Sequence, residues 1–250
     1  MDTAPQDKRP GKPRTLAIDI GGSHLKAGVL DSAGHFIAPE SRVETPQPAT
    51  PQSVLDALRT LIKDLGPFER ISVGFPGVVR AGRVMTAPNL DTAAWHGFPL
   101  AATLTERHGR PVRLLNDAEV QGLGVISGHG LECVITLGTG MGFALFQDGR
   151  LSPHLELAHH PVHKGKTYDE FVGRAALDDV GPKKWNRRVR RALRYITTLV
   201  NYDTLYIGGG NAKHLTIDLA PNIRIVDNEA GITGGVKLWD SALDESFSRT

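Results

Sequence analysis

The sequence is short of the residues that would make it a disulfide, zinc or membrane protein. Of 250 residues only one, Cys133, is cysteine. A single thiol excludes an internal disulfide framework and a thiolate-based zinc site, so no structural zinc is expected and the cytoplasm is the default setting. No apolar run is long enough to span a bilayer, and Met1 to Arg14 has charge and proline but no apolar signal core. Residues 1–14 are therefore expected as a loose tail, with no membrane attachment. Excess charge is also missing: 29 Lys+Arg against 27 Asp+Glu leave a formal net charge of +2. That is too little for the whole molecule to bind nucleic acid, so no DNA partner is expected, although Lys183 to Arg194 is locally very basic. The sequence has no Walker run of glycine, four residues, glycine, lysine and serine or threonine, which disfavours a P-loop enzyme.

What is present is a strand, glycine turn and strand, twice. Thr15 to Ile20 is extended and apolar, Gly21-Gly22 turns the chain, and Leu25 to Leu30 resumes before a turn at Asp31 to Gly34. Prolines 46, 48 and 51 mark a connection. Val54, Leu55, Leu58, Leu61, Ile62 and Leu65 then share one helical face. Ile71 to Phe75 reads as a buried strand, Val78 to Val84 as a hairpin about Ala81-Gly82, and Leu100 to Arg107 as a helix leading to the apolar run Val112 to Leu115. In the second half Cys133 to Leu137 is extended, Gly138-Thr139-Gly140-Met141-Gly142 turns, and Phe143 to Phe146 returns. The helix that would complete a dinucleotide fingerprint does not follow that turn, so a Rossmann dehydrogenase is disfavoured. Tyr168 to Val200 reads as helical with a break near Gly181-Pro182. Leu205 to Ile207 and Ile223 to Val226 read as strands, and Gly231 to Trp239 begins the last helix. The repeat implies two related α/β lobes with a boundary within residues 112–132. We assign residues 15–115 to the first lobe and 116–240 to the second, with the final helix returning to the first and 241–250 as a tail.

Asn116-Asp117-Ala118-Glu119 joins the run at Val112 to the helical run Val120 to Ile126. An amide and a carboxylate at a strand end that leads into a helix put Asp117 where it can face a cleft; a simple helix cap is the competing reading. Asp19 to Ser23 follows a strand, so Gly21 and Gly22 can bring amides to phosphate oxygens while Ser23 donates a hydrogen bond; Lys26 lies just beyond. Asp19 would repel phosphate and suits hydrated Mg2+ instead. Thr139 and Gly140 offer a second phosphate turn. Glu156 and His159 or His160, in an extended segment, can reach a polyol. Metal binding with His154 and His163 and a plain surface loop stay open there. Glu170 can cap its helix or add a carboxylate to the same site. Lys183, Lys184, Arg187, Arg188 and Arg191 lie in one helical region that Trp185, Val189, Leu193 and Ile196 can anchor. Such a strip suits the repeating charge of inorganic polyphosphate better than ATP; a solvated helix face and a nucleic-acid patch are the alternatives.

Taken in order, Asp19 to Lys26, Pro88-Asn89-Leu90, Leu115 to Ala118, Leu137 to Gly142, Glu156 to His159 and Ile207 to Asn211 resemble the ROK group of bacterial sugar kinases, over roughly residues 15–240. The length, Gly74 to Val79 and the Lys183-Lys184-Trp185 region are most similar to its polyphosphate glucokinases and glucomannokinases. The resemblance implies an α/β, two-lobed actin-like ATPase (ribonuclease H-like) fold with an interlobe active-site cleft, and transfer of a phosphoryl group to the 6-hydroxyl of glucose, with mannose as second sugar. It makes Asp117 the catalytic base, acting late with the ordinary low proton affinity of an aspartate. Asn89, Asn116, Glu156, His159 and Glu170 become sugar contacts, and Gly208, Gly209, Gly210 and Asn211 the nucleotide region. Mg2+ with polyphosphate or ATP, and a homodimer, complete the expectation. Two departures from the ROK pattern stand out. Ala158 occupies a position that is usually glycine, and His163-Lys164-Gly165-Lys166 stands where most members carry a cysteine-rich zinc loop. The same group includes sugar-responsive repressors, but the 14 residues before the first strand are too few for a DNA-binding unit. A catalytically silent sugar-binding or regulatory protein is the remaining non-enzyme reading.

Overall fold

A computed structural model describes residues 12–227 and 230–247. The chain folds as a mixed α/β protein with two five-stranded sheets of the same topology. The first contains β1 (Thr15–Ile20), β2 (His24–Leu30), β3 (Ser41–Glu44), β4 (Arg70–Phe75) and β5 (Val112–Asn116), in the order β3-β2-β1-β4-β5. The second contains β6 (Leu131–Leu137), β7 (Met141–Gln147), β8 (Arg150–Leu151), β9 (Thr204–Gly208) and β10 (Ile223–Ile225), in the order β8-β7-β6-β9-β10. In each sheet a three-stranded antiparallel meander continues into two parallel strands. Parallel pairing needs a crossover, and helices supply it. Helix α1 (Pro51–Ile62) joins β3 to β4. Helix α2 (Leu100–His108) precedes β5, and α4 (Tyr168–Val172) and α5 (Arg174–Val200) precede β9.

The crossovers form where the apolar period requires. Thr50 caps α1 by accepting from Ser53 N–H, and Pro51 occupies the first turn, where its missing N–H costs nothing. The helix buries Val54, Leu55, Leu58, Leu61 and Ile62 against the first sheet, at about 2 kcal/mol per side chain relative to exposure. Trp95 lies wholly inside this core and donates from its indole to the Ala49 carbonyl at 2.8 Å. In the second half Trp185, Val189 and Ile196 of α5 pack on β6 and β9, and the helix breaks at Gly181, whose φ is 74°.

Helix α3 (Asp117–Val125) touches both sheets, through β4 and β5 of the first and β6 and β7 of the second. Gly122 makes the second contact possible, since a Cβ there would collide with the Phe146 ring. The run expected as one final helix is shorter and tighter. Ala230–Thr233 is one α-turn, and Gly234–Trp239 continues as a 3-10 helix. It lies against β1 and β4. The Ser72 hydroxyl donates to the Gly235 carbonyl at 2.6 Å and accepts from the Trp239 indole at 2.8 Å. Of the residues read as a tail, Ser241–Phe247 form two further helical turns. Leu243 is buried there, and Asp244 pairs with Arg113 at 2.7 Å. Residues 1–11 of the expected N-terminal tail lie outside the described residues, as do 248–250. Among the described residues no helix is long and apolar enough to cross a membrane.

Candidate active site

Strand β5 ends at Asn116 and α3 begins at Asp117, so the carboxylate sits at a strand end and a helix start together. Asn116 caps the helix. Its Oδ1 accepts from Ala118 N–H at 2.9 Å, while Glu119 Oε2 accepts from Asn116 N–H at 3.1 Å, closing a capping box. Its Nδ2 donates to the Gly77 carbonyl at 3.2 Å. Asn116 therefore lines the cavity described below with its carboxamide already engaged in the fold. Asp117 itself accepts a bond from Ala118 N–H at 2.8 Å. Burial raises its carboxyl from 3.8 to about 7, the neighbouring charge of Asp19 adds to the rise, and the Ala118 N–H offsets only part. The low proton affinity expected from sequence does not hold, because the site withholds water and places like charge nearby. An acid half-ionised near neutrality is well matched to taking a hydroxyl proton.

Asp117 opens on a cavity of about 150 Å³. Gly21, Gly22 and Asn89 face it from the first half of the chain; Thr139, Gly140, Glu156, His159 and Asp169 face it from the second. Ser23, expected at the phosphate turn, is exposed and does not line it, since its place at the tip between Gly22 and β2 turns it to solvent. The second glycine turn is braced from several sides. Gly142 N–H donates to the Thr136 hydroxyl at 3.1 Å, Met141 N–H to Asp169 at 2.6 Å, and the Asn211 amide to the Gly138 carbonyl at 2.8 Å. A Cβ at Gly140 would overlap the Asp169 carboxylate, so a side chain there would push Asp169 off its bond to Met141 N–H.

The segment read as extended at 156–160 is instead a 3-10 turn, Leu157–His159, with Ala158 buried beneath it. His160 N–H bonds back to the Leu157 carbonyl at 3.0 Å, which brings Glu156 and His159 to the cavity together. Glu170 is not in the cavity. It is exposed, and its Oε2 accepts from Thr167 N–H at 2.9 Å in a second capping box. The acid that reaches the cavity is Asp169, 3.9 Å from His159 Nδ1 and held up in proton affinity by burial. Thr167-x-x-Glu170 is a capping-box signature, and reading it as such would have set Glu170 aside.

A second cavity of about 160 Å³ shares Asp117, Thr136 and Gly138 with the first and adds Asp19, Lys26, Gln121 and Gly209. Asp19 is raised in proton affinity by burial, and Lys26, 3.5 Å away, offsets part of that. Gln121, which the sequence reading did not single out, has a buried Nε2 with no hydrogen-bond partner among the described residues. Of the expected nucleotide residues only Gly209 lines this cavity. Gly208 is buried against Gln121, Gly210 is exposed, and Asn211 is buried where it braces the Gly138 turn.

A third cavity, of about 420 Å³, is cationic. Lys184, Arg187, Arg188 and Arg191 of α5 line it with Phe171 and with His163, Lys164 and Lys166 of the hairpin Pro161–His163 and Lys166–Thr167. Lys183 is exposed and lies outside it, one residue out of phase with the lining side chains. Among the described residues none of these Lys and Arg side chains pairs with a carboxylate. Arg188 lies over the Phe171 ring at 5.3 Å, with its Nη1 buried and unpartnered.

The sequence pattern of the ROK family matches residues 15–156, a span that holds both glycine turns, Asp117 and Glu156. The chain belongs to the ROK family. Among ROK relatives it is 34% identical to a polyphosphate glucokinase of Mycobacterium tuberculosis over 208 residues, 79% of this chain and 78% of that one. Its structure matches that of the inorganic polyphosphate/ATP-glucomannokinase from Arthrobacter sp. strain KM with a TM-score of 0.81 and 33% identity, over 90% of this chain and 97% of that one. The ROK family glucokinase from Streptomyces griseus, solved in complex with glucose and AMPPNP, matches with a TM-score of 0.75 over 90% of this chain and 98% of that one. At 22% identity that last likeness speaks for the fold alone.

Proposed function

We propose that the protein transfers a phosphoryl group from inorganic polyphosphate to the 6-hydroxyl of glucose, with mannose as second sugar and ATP as second donor. The observation that carries this reading is one cavity in which Asp117, half-ionised near neutrality, faces the Thr139-Gly140 turn amid Asn89, Glu156, His159 and Asp169. In that arrangement the sugar oxygen attacks phosphorus, the bridging P–O bond breaks with its electrons leaving on the shortened donor, and the hydroxyl proton passes to Asp117. The glycine-turn amides oppose charge on the moving group. Glu156, His159 and Asp169 orient the sugar, with Asp169 taking the part first given to Glu170.

Asp19 suits Mg2+. Its carboxylate is enclosed beside Asp117 with Lys26 at 3.5 Å, and no group of three acid, histidine or cysteine ligands exists among the described residues. An ion that keeps most of its water and takes one carboxylate and donor oxygens fits such a site. When bound there, Mg2+ would neutralise charge on the donor phosphates. The cationic cavity supports the donor choice: its Lys and Arg groups, none of them paired with a carboxylate among the described residues, and the orphaned Arg188 Nη1 match a long polyanion, whereas of the expected nucleotide residues only Gly209 lines the second cavity. Family membership and the matched glucomannokinase fold support a two-lobed, actin-like arrangement. Lobes at 15–115 and 116–240 and a homodimer complete the proposal, and solution mass would test the dimer.

The test is a coupled assay for glucose 6-phosphate, comparing defined-length polyphosphate with Mg-ATP at matched ionic strength. Higher kcat/KM with long polyphosphate is expected. Efficient use of ATP with poor use of polyphosphate would overturn the donor, and saturable glucose binding without product would leave a catalytically silent sugar-binding protein. Among glucose, mannose, fructose and N-acetylglucosamine, faster use of the acetylated amino sugar would overturn the sugar assignment.

A further inference from the structure

His154 lies between β8 and the 3-10 turn that carries Glu156 and His159, with only 16% of its side chain exposed. Its Nδ1 donates to Glu119 Oε1 at 2.7 Å. Its Nε2 stands 3.6 Å from Glu156 Oε2, an ion-pair distance, and has no hydrogen-bond partner among the described residues. Glu119 is itself buried, and its other oxygen takes the Asn116 N–H. One connected path therefore runs from the backbone of Asn116, beside the base, through Glu119 and His154 to a carboxylate of the sugar cavity. Burial lowers the proton affinity of the imidazole, but the two carboxylates outweigh it and raise the group to about 9. At neutral pH a cation thus sits between two anions. Glu156 shares a small cavity with Asp117 and Asp169, whose like charge works against its own.

We propose that His154 is a positioning residue for the sugar site: it holds Glu156 in place and ties that carboxylate to the helix start that carries Asp117. This rests on the sugar-kinase reading above. The competing role is purely structural, with His154 serving only to satisfy buried Glu119. The two nitrogens separate these roles, because an asparagine amide overlays Nδ1 and reaches only Glu119, whereas a glutamine amide extends to the position of Nε2 and reaches only Glu156.

The experiment measures kcat and sugar KM for the wild type, His154→Asn and His154→Gln, with melting temperature recorded beside them. Loss of one charge-assisted contact to a sugar ligand should raise KM about tenfold in His154→Asn with kcat within about threefold of wild type. His154→Gln should keep KM within about threefold of wild type even where its melting temperature falls, since it gives up the Glu119 bond. The reverse order, with KM spared by asparagine and raised by glutamine, would overturn the proposal, as would wild-type KM in both. Should both variants lose sugar affinity alike, a double-mutant cycle with Glu156→Gln decides. Non-additive KM effects support action through Glu156, and additive effects overturn it. Failure of the wild type to phosphorylate any aldohexose would instead remove the underlying reading, an outcome visible before any variant is made.

Discussion

A buried carboxylate lies at each end of helix α3, and the protein treats the two in opposite ways. Beyond the C-terminal end, Glu132 is fully buried and accepts from the Ser127, Gly128 and His129 N–H groups and from the Ser127 and Tyr206 hydroxyls, at 2.7 to 3.2 Å. Burial pushes this acid up, but the donors outweigh it and hold it below the ordinary 4.5. At the N-terminal end Asp117 has the Ala118 N–H, and burial, with the nearby charges of Asp19, Glu156 and Glu119 adding to it, raises it to about 7. The fold can supply five donors to a buried acid, and does so where the acid is structural. At Asp117 it leaves the carboxylate short of partners. That state is what the proposed role requires, with a ligand's hydroxyl completing the shell at this end of α3.

The most severe way to test the contrast is Asp117→Asn. Removing the base should cost about 10³-fold in kcat while sugar affinity stays near the wild-type value. Near-normal turnover in a folded Asp117→Asn protein would strip Asp117 of its role. The matching change at the other end, Glu132→Gln, should do the reverse. Turnover of the folded protein is retained, but stability to denaturant drops by about 2–3 kcal/mol, because donors built for a carboxylate lose it. Its folded-state affinity is depressed, so the stabilisation is present above pH 4.5 and lost as pH falls through the lower folded value. The acid limb of the wild-type stability curve should therefore flatten in Glu132→Gln. Equal stability of the two proteins at pH 7 would show that the donors contribute nothing.

The fold was largely legible in the sequence because its strands are bounded by glycine turns and its crossover helix α1 has an unbroken 3.6-residue apolar face. Asp117 was legible for the same reason, lying at the junction of two clear elements. What failed was anything decided by one residue of helical phase or by a tertiary partner. Glu170 and Asp169 are adjacent acids, and the reciprocal bond to Thr167, foreshadowed only by the Thr167-x-x-Glu170 spacing, tells which one turns away. Asn211 follows three glycines and reads as a ligand contact, yet its amide is taken by the Gly138 carbonyl, 73 residues away in sequence. The perturbed proton affinity of Asp117 depends on Asp19 and on enclosure, neither of which is local to the Asn116-Asp117 pair.

A smaller effect sharpens the same comparison through stability. An aspartate whose folded-state affinity is raised destabilises the fold wherever it must ionise. Asp117→Asn should therefore raise stability by on the order of 2 kcal/mol above about pH 7. The gain should shrink as pH falls and vanish below 3.8, where the acid is protonated folded or unfolded. An unchanged melting temperature at pH 8 would mean that Asp117 is already compensated, and the contrast with Glu132 would collapse.

The cations of α5 extend the contrast to the opposite sign and give the mildest test. Lys184, Arg187 and Arg191 line the cationic cavity beside Arg188, whose Nη1 is buried with no hydrogen-bond partner among the described residues. If unpaired charge marks ligand sites here as well, replacing all three by glutamine should lower kcat/KM for long polyphosphate about tenfold at low salt and leave Mg-ATP within about twofold. The remaining polyphosphate activity should depend less on ionic strength, since fewer charges are left to screen. Stability should change little, because relief of repulsion among like charges offsets the Arg191 hydrogen bond to His163 that is lost. Lys183→Gln is the internal control. It removes the same charge from the same turn of helix but from a side chain outside the cavity, so both donors should be used as by the wild type. Equal losses with both donors in the triple variant would point to a closure or folding defect. An effect of Lys183→Gln as large as that of Lys184→Gln would mean that the helix acts only through its overall field, with no site built between α5 and the Pro161–Thr167 hairpin.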